Sequence, residues 1–459
     1  MNQNINPITG RPIKIVWFGD MVVLSGFGRI GNEISKRLKQ RGYDVQGIGI
    51  SYSGWPHEYP FWIWPLAGQD LWSGLTNIVN QTQPDLLISC QDFPYHKTIW
   101  DACRIDFSKV KWIWITPIDG TPIMSQWVDL CKWADGNMTI SKFGVEAFKQ
   151  AGQRVSLCHP GVDVNEFYPA DKAERDALRA KVGYAPDDFI VGVVAMNQGR
   201  KAIPPMVQAF FEFAKDKPNA KLYLDMDKVS PAGWDIPELL LQLGVPKEQH
   251  SRVRFKDDLF TASPDMLPLR NRYVLLDAHM VISHREGFGL PLLESMACKI
   301  PTIAMDWCSG TEIVGDGRGY LVPRIDYMEN GTWGGARDAF PDLKALQNAL
   351  ELIYCYPDVA AGVAATGYEW ARRQTWDVAT DAVEAEIHRA FVQQRSQSHE
   401  PSRTADTASA YSDTRAPAFD ERDHSKLQQP AGTREVPQEP VQNELAVRPA
   451  EPIGDSSSG

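Results

Sequence analysis

The chain has 459 residues, with 47 Lys and Arg against 58 Asp and Glu and a formal net charge of −11 at pH 7. That length accommodates several domains of the usual ~100–200 residues, and a composition 43% hydrophobic and 23% charged supports buried cores. The acidic balance argues against a nucleic-acid module, which needs a basic stripe against phosphates, and leaves room for a local basic pocket.

In chain order, residues 13–18 form a short apolar run of strand formers, followed by a Gly-rich loop and an amphipathic helical stretch over 29–41. Strands are predicted over 45–50, 85–89, 111–116 and 136–140, with a helix over 71–81. Strands alternating with helices imply a parallel sheet covered on both faces, and this first α/β domain is assigned to 1–155. Pro160, Gly161, Pro169 and Pro186 punctuate an interdomain connection over 156–188. A second series follows, with strands over 189–195, 221–225, 253–255, 279–282 and 301–305, a run 273–276 leading to a helix-poor turn, and helices over 205–214, 237–243 and 290–298. Helices over 361–394 complete this second domain, 189–394. The remainder, 395–459, carries seven Lys and Arg and eleven Asp and Glu among Pro, Ser, Thr and Gln without periodicity, and is expected to be disordered. The expected fold class is therefore α/β, two Rossmann-like doubly wound domains facing a cleft at the carboxyl ends of their strands.

Seven Cys are scattered and never in CxxC spacing, which argues against a disulfide framework or thiolate zinc site. The first residues lack a signal-peptide pattern and no run approaches 18 apolar residues. The expected location is cytoplasmic. The aromatic stretch 55–64 suggests core packing first, and a sugar-stacking or peripheral membrane contact second.

The most informative stretch is 283–297, where a buried strand meets a Gly-rich loop (Gly287, Phe288, Gly289) and a helix, with Glu286 on the loop and Glu294 on the helix. Backbone N–H groups of such a loop and helix start suit phosphate or sugar hydroxyls. This stretch resembles the E-x7-E signature of the retaining family 4 glycosyltransferases, which have the GT-B fold. The resemblance extends to His159-Pro-Gly-Val-Asp163 with Phe167, to Asn197-Gln-Gly-Arg-Lys201, to the donor-pocket loop Ser309-Gly-Thr-Glu-Ile-Val314 containing Thr311, and to the glycine loop Gly26-Phe-Gly28-Arg29. It implies a nucleotide-diphosphate sugar donor, with Glu294 on the ribose, Glu286 on the donor sugar, and Lys201 with Arg200 against the departing diphosphate. It implies no cofactor and no metal. Two departures stand out: Met196-Asn197 lies where the family often has Arg, and Ala202 replaces the usual glycine after the Lys.

Asp119, in Asp-Gly just after a predicted strand, is placed to position the acceptor hydroxyl or donor sugar, against the plain reading of a turn former. For Asp92 and His96 a structural role is favoured. Asp225-Met-Asp227 is read as a pair of solvated strand-end carboxylates rather than a metal site. The expected partners are the sugar donor and a hydroxyl acceptor, either a glycan, a lipid-linked sugar or a small molecule. Three alternatives remain open: transfer to a modified base in nucleic acid, sugar-nucleotide binding without catalysis, and an NAD-dependent oxidoreductase using Gly26–Gly31.

Overall fold

In the computed structural model, residues 4–23, 25–262, 267–329 and 336–392 are described; the tail 395–459 lies outside them. Two parallel sheets organise the chain. The first contains β1 (Lys14–Gly19), β2 (Asp44–Gly49), β3 (Ile63–Pro65), β4 (Leu86–Cys90), β5 (Lys111–Ile115), β6 (Gly136–Thr139) and β7 (Ser156–Leu157) in the order β3-β2-β1-β4-β5-β6-β7. The second contains β8 (Phe189–Val194), β9 (Ala220–Asp225), β10 (Val253–Phe255), β11 (Ala278–Val281), β12 (Thr302–Met305) and β13 (Tyr320–Val322) in the order β10-β9-β8-β11-β12-β13. A short antiparallel pair, β14 (Arg324–Glu329) and β15 (Arg337–Pro341), follows.

The strands are buried on both faces, as a doubly wound sheet requires. In β1, Ile15 and Trp17 join one apolar cluster while Val16 and Phe18 join the cluster on the opposite face. In β8, Val191 and Val193 face the second domain's own helices. Ile190 and Val194 belong instead to the same cluster as Ile15 and Trp17. One core therefore runs through both domains and backs the gap between them.

Two expectations change, and the run 273–276, assigned to no element, resolves: Tyr273 and Val274 end a helix, Leu269–Val274. Short apolar runs do not discriminate strand from buried helix. The connecting segment is not all linker, because Arg175 and Arg179 of the helix Lys172–Lys181 bond to Asp277 at 2.6 and 2.7 Å and fix that helix to the second domain. The terminal helices, assigned together to the second domain, separate. Pro357–Ala371 packs against the helix Leu290–Ala297, whereas Trp376–Val392 returns to the first sheet. There Glu384 accepts from Arg41 and Tyr43 at 2.8 and 2.9 Å, and Glu386 accepts from Ser156 at 2.7 Å. Its buried face, including Trp376, Val383 and Ile387, completes the first domain's core.

Candidate functional site

In an open parallel sheet, ligands bind beyond the carboxyl ends of the strands where the winding reverses. In the second sheet that point lies between β8 and β11. The loop after β8 carries Arg200 and Lys201, and the loop after β11 carries Glu286. Asn197 shapes the first loop: its side-chain amide donates to the carbonyls of Asp227 and Trp234 and accepts from the Trp234 N–H at 3.0, 2.7 and 2.9 Å. Ala202 then turns the chain at φ +50° into the helix Ile203–Phe213. Lys201, 7% exposed, places Nζ 2.5 Å from Glu286 Oε2, which also accepts from Ser283 Oγ at 3.0 Å. Arg200 Nη1 is 3.7 Å from Glu286 Oε1 and donates to the Arg285 carbonyl. Burial favours the neutral form of Glu286, but Lys201 and Arg200 outweigh it and hold the carboxyl below its ordinary range. The Lys201 ammonium is lowered by burial and by Arg200, with Glu286 opposing.

Gly289, at φ +92°, makes the turn from this loop into the helix Leu290–Ala297, a conformation that excludes most side chains. Glu294 on that helix is 5% exposed and accepts from Tyr273 Oη at 2.7 Å. Arg29, on the first domain's helix Gly26–Gln40, brings Nε to 3.7 Å from Glu294 and is gripped by Glu166 at 2.9 and 3.1 Å. Burial raises the Glu294 carboxyl above its ordinary value, opposed by Arg29 and Tyr273. Gly287 lies buried against the first domain, where a Cβ would stand 3.2 Å from Pro117 and 4.0 Å from Asp119 Cβ. The Phe288 ring packs on His159 at 4.7 Å. The Glu286 and Phe288 carbonyls accept from Ser309 Oγ, tying this loop to the helix Ser309–Val314. Thr311 on that helix is exposed and donates to Asp306 at 2.7 Å.

The first sheet reverses between β1 and β4, and the residues beyond those strand ends are acidic: Asp20 after β1 and Asp92 after β4, with Asp119 after the neighbouring β5. Asp119 Oδ2 lies 3.6 Å from Arg285 Nη1, and its carbonyl accepts from Cys308 Sγ at 2.9 Å. Arg285 itself pairs with Asp338 at 2.6 Å. Asp92 begins the helix Phe93–Ala102 without a side-chain capping bond. Asp92 keeps an exposed surface and is nonetheless closely surrounded by protein. That enclosure, with Asp119 and Asp20 nearby, pushes its carboxyl up to about 7 against the pull of Arg200 and Arg285. His96 sits beneath, fully buried between Ser89 and Thr116 at 3.1 and 3.0 Å and stacked on Trp114 at 4.4 Å. Burial lowers it to about 3, so it is a neutral core residue.

Gly28 differs from its assignment as a binding residue. Its N–H is taken by Ser25 Oγ at 2.9 Å, and a Cβ there would meet the Val23 carbonyl at 2.1 Å. It is a glycine of close backbone approach to the loop that precedes its helix; Gly26 is exposed, and a Cβ on it would stand 4.0 Å from Leu290 Cδ1 of the second domain. Asp225 is not solvated either: it is 8% exposed and accepts from Arg272 at 3.1 Å and Tyr223 at 3.1 Å, while Asp227 pairs with Lys256 at 2.5 Å. Sequence reasoning assigned no role to Arg29, Glu166, Tyr273 or Arg285. Arg29 and Arg285 stood inside the quoted motifs and Glu166 in the spacing between Asp163 and Phe167, whereas Tyr273 reaches the site from outside them.

Residues 267–329 match the family described as glycosyl transferases group 1. Among curated proteins, the D-inositol 3-phosphate glycosyltransferase of Mycobacteroides abscessus is 33% identical over 177 residues, 37% of this chain and 36% of that protein. That of Nocardia farcinica is 29% identical over 50% of this chain and 47% of its own length. The chain thus spans about half or less of these relatives. The sucrose-phosphate synthase structure from Thermosynechococcus elongatus superimposes with a TM-score of 0.65 at 17% identity, covering 83% of this chain and 99% of that one. Anabaena HepE in complex with UDP-glucose gives 0.62 at 18% identity, covering 82% and 98%. The shared fold is GT-B.

Proposed function

From a chain that carries a glycosyl transferases group 1 domain within a GT-B fold, we propose transfer of a hexosyl or pentosyl group from a nucleotide-diphosphate donor to an acceptor hydroxyl with retention of configuration. The observation that carries this reading is the Arg200–Lys201–Glu286 cluster at the reversal point of the second sheet, with Glu294 buried on the adjoining helix. Two cations beside a carboxylate suit a departing diphosphate, whose developing charge is best met by donors already in place. On donor binding, Lys201 would pass from Glu286 to the diphosphate, and Glu286 would turn to the donor sugar. Glu294 would leave Arg29 for the ribose hydroxyl pair. The Gly287–Gly289 loop would line the phosphates, and Thr311 would border the pocket.

The acceptor hydroxyl attacks the anomeric carbon from the face the diphosphate leaves; the carbon–oxygen bond to the phosphate breaks, and a diphosphate oxygen takes the acceptor proton. No metal enters this scheme, because the cations that meet the leaving group are side chains. A cytosolic setting agrees with the seven free thiols. No described helix is long and apolar enough to cross a membrane.

UDP-glucose, the ligand of the HepE complex, is the first donor to try, beside GDP- and ADP-sugars. Slow nucleotide release from one of them, lost in Glu294→Ala and Lys201→Ala, is the expected result. Binding without release would favour a sugar-nucleotide-binding protein, and failure of every donor to bind or turn over would end the reading.

A further inference from the structure

Resting on that reading, we infer that the acceptor is an uncharged polyol, seated at the reversal point of the first sheet with its reactive hydroxyl on Asp92, and that phosphorylated acceptors are excluded. The reversal point of a doubly wound sheet is where ligands bind, and this chain has two. The donor reading occupies the second. At the first, the residues beyond the strand ends are Asp20, Asp92 and Asp119, and the basic groups facing them, Arg200 and Arg285, come from the other domain. Arg285 is already held by Asp338 and Asp119 at 2.6 and 3.6 Å, and Arg200 lies 3.7 Å from Glu286. An anionic acceptor would meet like charge on this wall and leave it unpaired, which is how sites reject a competitor.

A second observation points to a ligand. Gln91, 3% exposed, has a buried Nε2 without a hydrogen-bond partner. It lies 3.8 Å from where a Cβ on Gly19 would stand, and so beside the Gly19–Asp20 turn between the ends of β1 and β4. A buried donor left unmade is costly, and native sites keep such groups for a partner. Asp20 is anchored by Ser25 at 2.9 Å and Asp119 by Arg285, whereas Asp92 is exposed and its carboxyl makes no helix-capping bond. An amide donor and a carboxylate acceptor on consecutive residues after β4 supply the two kinds of partner that a hydroxyl, which both accepts and donates, can use. They do not match a phosphate dianion.

The test uses the full chain and whichever nucleotide sugar it hydrolyses, with acceptors in matched pairs: myo-inositol against myo-inositol 1-phosphate, and glucose against glucose 6-phosphate. Product is followed by mass spectrometry and nucleotide release above hydrolysis. The uncharged member of a pair should show kcat/KM at least about ten-fold higher, the size of a modest charge discrimination. Asp92→Lys should narrow or reverse that ratio. Asp92→Asn, which preserves the helix-start residue type, should lose transfer to the polyol with no fall in its melting temperature. Preference for the phosphorylated members, an unchanged ratio in Asp92→Lys, or no stimulation by any polyol would overturn the inference while donor hydrolysis stands. Loss of donor hydrolysis in the wild type would overturn the glycosyltransferase reading itself.

Discussion

The two sheets share one strand order, so each presents the same crevice, yet the crevices carry opposite charge. Beyond β8 and β11 the chain supplies Arg200 and Lys201 around one carboxylate; beyond β1 and β4 it supplies Asp20 and Asp92 over a neutral histidine. The fold decides where a ligand can sit, and a few loop residues decide what charge it can bear. Each domain also buries a neutral histidine, His96 in the first and His279 on β11 in the second, both lowered to about 3 by burial. The contrast therefore resides in the loops, on similar cores.

The largest expected effect tests the basic crevice. Lys201→Ala should lower donor turnover by about 10²–10³-fold, the cost of removing one preorganised group from a developing anion. Arg200→Ala should cost less, because its side chain is 36% exposed where Lys201 is 9% exposed and exposed charges are screened. Nucleotide-release rates give the ranking. An equal loss in both would mean that the cluster acts as one unit rather than through its buried member.

Next comes the residue that joins the two crevices. Arg285→Ala takes a partner from Asp338 and from Asp119, with the arginine side chain only 10% exposed. Breaking a buried pair by removing one partner costs about 3–5 kcal/mol, so the urea midpoint should fall clearly. A loss within error would show that Asp338 finds other partners.

The acidic crevice is tested through pH. The Asp92 carboxyl is raised to about 7 by enclosure, Asp119 and Asp20, with Arg200 and Arg285 opposing. Between its ordinary value near 3.8 and about 7 the folded state holds the proton that the unfolded chain has released. The folded state binds more protons there, so Asp92 makes stability fall as pH rises through that window. Asp92→Asn should raise the melting temperature at pH 8 and leave it nearly unchanged at pH 4. The buried histidines act in the opposite sense. Below about 6.5 the unfolded chain takes up protons that His96 and His279 refuse until about 3, so they remove stability as pH falls. An Asp92→Asn gain confined to low pH would contradict the enclosure argument.

What could be read from the sequence was local. Glu286, Glu294, Arg200 and Lys201 lie in short runs between a strand and a helix, where chain direction alone brings them to the crevice. The strand–helix alternation carried the inner strands of both sheets, while the short edge strands β3, β7 and β13 gave no such signal. Pairs that depend on distant packing were invisible. Arg29 meets Glu166 and Glu294 only because the helix Gly26–Gln40 faces the second domain, and Tyr273 reaches Glu294 from a short helix that pattern alone leaves unassigned. The return of Trp376–Val392 to the first sheet likewise depends on buried polar partners, Glu384 and Glu386 with Arg41, Tyr43 and Ser156, that no periodicity announces.

The smallest effect asks how the basic crevice is held in place. Ala202 follows Lys201 and occupies the left-handed region at φ +50°, ψ +45°, fully buried, with its N–H on the Gly199 carbonyl at 3.3 Å. A residue with a Cβ pays about 1–2 kcal/mol there, whereas glycine adopts it freely but loses about 0.5–1 kcal/mol more in chain entropy on folding. Ala202→Gly should therefore be neutral to about 1 kcal/mol stabilising, read from denaturant midpoints. If turnover holds as stability rises, the strain is incidental to the site. If turnover falls while stability rises, the Ala202 methyl and its tight turn are what aim Lys201 at Glu286, and the basic crevice depends on a strained backbone that the acidic one, built on Gly19 and an ordinary helix start at Asp92, does without.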